Sequence, residues 1–93
     1  MKSTAQISTQ QAARIAKRLL NHWKHKFEVA EQKQSMQIFF PKALITLTPS
    51  TDILTVNIAT QSTDVDLEHI QHVVLDHLIR MGQEELSATW ITV

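Results

Sequence analysis

Apolar positions first become periodic at residue 12. Ala12, Ile15, Ala16, Leu19, Leu20 and Trp23 recur at three- and four-residue spacing, the signature of one buried helix face. Ser8 followed by Gln11 makes a capping-box pattern just before that stripe. Together they predict a helix over residues 9–25, with residues 1–7 a flexible tail. From Phe27 the period changes to two. Phe27, Val29 and Glu31 alternate with Glu28 and Ala30, and the polar run EQKQ then breaks the strand. Met36, Ile38 and Phe40 share one side of a second strand, which Pro41-Lys42 ends. ALITLT reads as a third strand and PSTD at 49–52 as a turn. ILTVNIAT is the clearest strand. Leu54, Val56 and Ile58 fall on one side and Thr55 and Asn57 on the other, with β-branched residues enriched.

A second helical stripe follows in Leu67, Ile70, Val74, Leu78 and Met81. Its predicted start is Ser62 or Thr63, with Asp64 and Asp66 complementing the helix dipole in the first turn. Its predicted end has Arg80 in the last turn and Gly82 as a left-handed cap. LSATWITV then reads as a last strand. The order is α-β-β-β-β-α-β. Short links between successive strands imply an antiparallel meander. The expected class is α+β, with both helices packed on one face of the sheet. Val73, Leu75 and Ile79 lie off the main stripe of the second helix. That surplus needs burial, either in a homodimer interface or by wrapping within one chain.

Composition narrows the class. Ninety-three residues at 43% hydrophobic fit one globular domain over 1–93 with a modest core. The absence of cysteine excludes disulfides, thiolate metal sites and cysteine nucleophiles. The first residues lack the apolar run and cleavage site of a secretory signal. No stretch reaches the roughly 20 apolar residues of a membrane span. A cytoplasmic location with no membrane partner is therefore expected. Net charge is zero but unevenly laid out. Residues 1–27 hold Lys2, Arg14, Lys17, Arg18, Lys24 and Lys26 and no acid, whereas acids dominate residues 43–93. The two halves are expected to face each other, within a chain or across a dimer.

Candidate chemistry centres on histidine. His22 and His25, three residues apart on a helix, lie near enough to share a ligand. Imidazoles suit a divalent ion such as Zn or Fe, and His77 lies close to the apolar stripe of the second helix. His22, His25 and His77 are thus a candidate metal set, with Glu84 or Glu85 to complete it. The competing reading makes His77 a hydrogen-bonded core residue and His25 a partner of the last helix carbonyls. Glu68, His72, Asp76 and Arg80 follow at four-residue steps and read as a surface ladder, not a catalytic pair. The basic first helix could meet phosphates, but Trp23 points to the core and offers no stacking platform. No nucleotide-binding loop, serine elbow or calcium-loop pattern occurs, and nothing specifies an enzyme.

Several blocks resemble a known bacterial family. HWKHKFEV at 22–29, ILTV at 53–56, VVLDHLIR at 73–80, EEL at 84–86 and Trp90 are similar to the domain-of-unknown-function family 2218. The resemblance runs from about residue 9 to the end. It implies a stand-alone bacterial protein with no assigned activity and a link to iron uptake. Carried over by position, its polar motif residues are His22, His25, Lys26, His77, Arg80 and Glu85. The chain departs from the family pattern after Arg80, where RMGQEEL replaces an aromatic-rich segment bearing a further arginine. It also lacks a glycine near Gln34-Ser35. A second, looser resemblance is to the C-terminal domain of phosphohexomutases, which implies a TBP-like architecture. TPSTD at 48–52 echoes the phosphate loop of those enzymes without its arginine and glycine, so it reads as a plain turn.

The expectation is a non-enzymatic accessory or binding domain. Its site would be His22, His25, Lys26, His77, Arg80 and Glu85, taking a metal ion or a small anion. The alternatives are a structural or interaction module acting as a homodimer through the second helix, and a nucleic-acid binder through the first.

Overall fold

The computed structural model describes residues 1–92. Eight elements run in the order β1 (Lys2–Ser8), α1 (Ala12–Trp23), β2 (Glu28–Glu31), β3 (Met36–Phe40), β4 (Ala43–Pro49), β5 (Ile53–Thr60), α2 (Leu67–Gly82) and β6 (Ile91–Thr92). The strands form one antiparallel sheet in the order β2-β3-β4-β5-β1-β6. The expected α+β class and the succession from α1 onward are found.

Alternation along the strands decides which face is covered. Ala5 and Ile7 of β1, Ile38 of β3, Ala43, Ile45 and Leu47 of β4, and Leu54, Val56 and Ile58 of β5 turn inward. Both helices cover this face. Ala12, Ile15, Ala16, Leu19, Leu20 and Trp23 from α1 join Ile70, Val74 and Leu78 from α2 in the same core. Burying each large apolar side chain contributes about 1.5–3 kcal/mol. Val73, Leu75 and Ile79 are half-buried against that core, so much of the surplus on α2 is absorbed within the chain.

Five sequence expectations are corrected. Residues 2–8 are not a tail but β1, paired along its whole length with β5. Its inward residues are Ser3, Ala5 and Ile7, and only the last carries a strong apolar signal. The first helix begins at Ala12, and no side chain caps it at Gln11. Instead Thr9 Oγ1 accepts the Gln11 N–H at 3.1 Å. The second helix begins at Leu67, where Asp66 accepts the His69 N–H, and Asp64 lies in the turn before it. The left-handed cap is Gln83, with φ 53°, and Gly82 is the last helical residue. Glycine is needed there for a different reason: a Cβ would meet Ile15 Cδ1 at 2.8 Å, where α2 closes on α1. The last strand shrinks to Ile91 and Thr92, paired with Thr4 and Ser3, and Val93 lies outside the described residues. The segment between α2 and β6 is anchored near its start. Thr9 Oγ1 donates to Glu84 Oε1 at 2.5 Å, and Leu86 is buried in the core.

Candidate functional site

The two helices end side by side. Arg18, His22 and His25 rise along one face of α1 and the turn that follows it. Arg80 and Met81 close α2, with Gln83 as its cap. These residues, with Asn21, line a shallow open depression. Arg18 Nη1 donates to the Met81 carbonyl at 3.0 Å, which ties the end of α2 to α1. This is also what a helix C-terminus, with its partial negative charge, asks of a nearby cation.

His77 stands behind the depression. Its ring lies 5.5 Å from that of His22 and 4.8 Å from Trp23, centroid to centroid. His77 Nδ1 is 2.7 Å from the Val73 carbonyl oxygen. A carbonyl only accepts, so Nδ1 is the donor of this bond. His77 is half-buried rather than in the core, and its ring stands next to that of His22.

The six sequence candidates separate. His22, His25 and Arg80 line the depression, and His77 supports it from behind. Lys26 sits 5.6 Å over the ring of Phe27, a cation–π contact outside the lining. Glu85 is exposed and also outside it. Its neighbour Glu84 turns the other way, toward Thr9 and Gln11. Among the described residues no three histidine or carboxylate side chains are gathered as a metal-ligand group. The trio His22, His25 and His77 is thus not assembled around one point. Arg18, Asn21 and Gln83 were missed from sequence. Arg18 was findable, since it stands four and seven residues before His22 and His25.

No carboxylate lines the depression. Among the described residues the ion pairs are Lys17–Glu31 at 2.5 Å and Lys42–Asp64 at 2.9 Å, and neither touches it. Neither pair joins residues 1–27 to residues 43–93, which meet instead where α1 packs beside α2 and Arg18 reaches the Met81 carbonyl. Glu68, His72, Asp76 and Arg80 are exposed on α2 without ion pairs among themselves.

Residues 4–91 match the family described as "Uncharacterized protein conserved in bacteria (DUF2218)". The chain belongs to DUF2218. The NMR structure of PA4090 from Pseudomonas aeruginosa is similar to this DUF2218 chain at 36% identity, covering 97% of this chain and 94% of that one, with a TM-score of 0.79. No curated protein matches. Among the described residues no helix is long and apolar enough to cross a membrane.

Proposed function

We propose that this DUF2218 chain is a non-enzymatic binding domain that takes a small anionic ligand in the depression at the paired helix ends. The observation that carries this reading is the lining itself: two arginines and two histidines with no carboxylate among them. Arg18 is partly committed to the Met81 carbonyl, whereas Arg80 has no ion-pair partner among the described residues. A guanidinium presents paired donors that match a carboxylate or phosphate. His22 and His25 add ring N–H donors from the opposite wall. His77 acts by holding His22 in place.

The same lining weighs against a bare metal ion, because two permanent cations would flank it. The link to iron uptake implied by the family resemblance fits this site only as an anionic iron chelate. The nucleic-acid reading is weakened. Lys17 is tied to Glu31, Arg14 donates to Gln11, Arg18 to Met81, and Trp23 is buried.

The test is an NMR titration with citrate, ferric citrate and Zn(II), read at the His22, His25 and arginine side-chain resonances. Citrate should shift these signals, and Arg80→Ala should weaken its binding at least tenfold. Shifts with Zn(II) and none with either citrate form would reverse the reading in favour of a metal. Silence with all three would refute a site at the helix ends.

A further inference from the structure

Among the described residues, both helices lie on one side of the sheet and no element packs on the other. Its outward positions run from Glu28 on β2, through Phe39 on β3, Leu44 and Thr46 on β4 and Thr55, Asn57 and Ala59 on β5, to Lys2, Thr4 and Gln6 on β1. Apart from Glu28 at one edge and Lys2 at the other none of these is charged, although the chain carries nine basic and nine acidic residues. A solvated sheet face ordinarily intersperses Lys and Glu to keep other chains away. Phe39 and Ile91, two of the three exposed large apolar residues among those described, lie on this face.

We propose that this face binds a second copy of the chain, sheet against sheet, about a two-fold axis running along β4. The strand register supplies the argument. One row across the sheet reads Glu28, Phe39, Leu44, Ala59 and Lys2. Rotation about β4 lays that row over its own reverse. Leu44 then meets the partner's Leu44 on the axis, and Phe39, the bulkiest residue of the row, meets the partner's Ala59. Glu28 at one end meets the partner's Lys2 at the other, twice by symmetry. The next row, Ala30, Gln37, Thr46, Asn57 and Thr4, sets Gln37 opposite the partner's Asn57, two amides that can pair. The only charges in the row are thus opposite in sign and lie at its rim, as in an isologous interface.

The area suffices for a reversible dimer. Five strands about 4.8 Å apart, over about six residues at about 3.3 Å each, make a face of roughly 24 by 20 Å. Two such faces bury on the order of 1,000 Å², the lower bound for a specific interface. The dimer should therefore depend on concentration. This proposal is independent of the helix-end site and leaves it open to solvent. It also moves the expected dimer contact from α2 to the sheet.

Sedimentation equilibrium from micromolar to millimolar protein tests it. The wild-type mass should rise toward two chains. Leu44→Glu and Phe39→Glu should each hold the mass at one chain, with circular dichroism unchanged because both positions face outward. Glu28→Lys and Lys2→Glu should each weaken association several-fold, and combining them should restore it. A wild-type mass of one chain at every concentration would overturn the proposal. So would a dimer that survives both Leu44→Glu and Phe39→Glu, or one abolished by Ile79→Glu on α2 alone.

Discussion

On β5, Leu54, Val56 and Ile58 turn toward the helices and have no accessible surface, while Thr55 and Asn57, one position along, turn to the open side. The same contrast holds on β4, between Ile45 and Leu47 within and Thr46 and Thr48 without. The inner face is specified by shape. Its residues are apolar and closed over by two helices, so each volume is fixed by its neighbours. The outer face is specified by what it omits. It is neither apolar enough to form a core nor charged enough to be committed to water. Identical backbone geometry thus carries two kinds of sequence constraint, and only the first concerns the folding of one chain.

The largest expected effect tests the inner rule directly. Ile45→Ala removes a fully buried side chain and should cost about 2–5 kcal/mol in urea unfolding. Thr46→Ala, next to it but outward, should cost under about 1 kcal/mol. Equal losses would mean that the open side is as tightly packed as the closed one, and the contrast would fail. A finer test uses the one polar side chain on the inner face of β1. Ser3 is buried, and Gln71 Nε2 donates to its Oγ at 2.7 Å. Gln71→Leu should cost about 1–3 kcal/mol by leaving that hydroxyl without its partner. Adding Ser3→Ala should recover most of the loss. If the double variant is no more stable than Gln71→Leu, packing rather than polarity sets the price at that corner.

Which parts were legible follows from the same contrast. β5 was read at its observed bounds, because Leu54, Val56 and Ile58 alternate with Thr55 and Asn57 through its centre. β1 was missed because two of its three inward residues, Ser3 and Ala5, are small, and the contact that covers Ser3 comes from Gln71 on α2, which no local pattern encodes. Gly82 was read as a cap from its position, but its role is to admit Ile15 between the helices, a contact between residues far apart in sequence. The site was partly legible for a similar reason. His22, His25 and Arg80 stand at helix ends, and two helices on one sheet face bring those ends together. Of the two acids expected to complete the cluster, Glu84 is drawn to Thr9 beyond the turn at Gln83, and Glu85 is exposed outside the lining.

The smallest effect belongs to the rim, where neither rule for the faces applies. Lys42, left-handed at φ 65° in the turn between β3 and β4, pairs with Asp64 in the turn before α2. The Ser62 hydroxyl, which donates to Asp64, and the Lys42 ammonium hold that carboxyl below its ordinary value of 3.8. A carboxyl lowered on folding stabilises the folded state above its unfolded value, and that stabilisation is lost as pH falls through the folded one. Asp64→Asn should therefore lower the Tm slightly at neutral pH, and the difference from wild type should vanish on acidification below the carboxylate range. Because both partners are exposed, added salt should shrink it as well. Thermal unfolding of the two proteins across pH and salt checks this. A difference that grew on acidification would show that Asp64 acts through something other than its charge, and the rim would then have to be counted with the packed inner face.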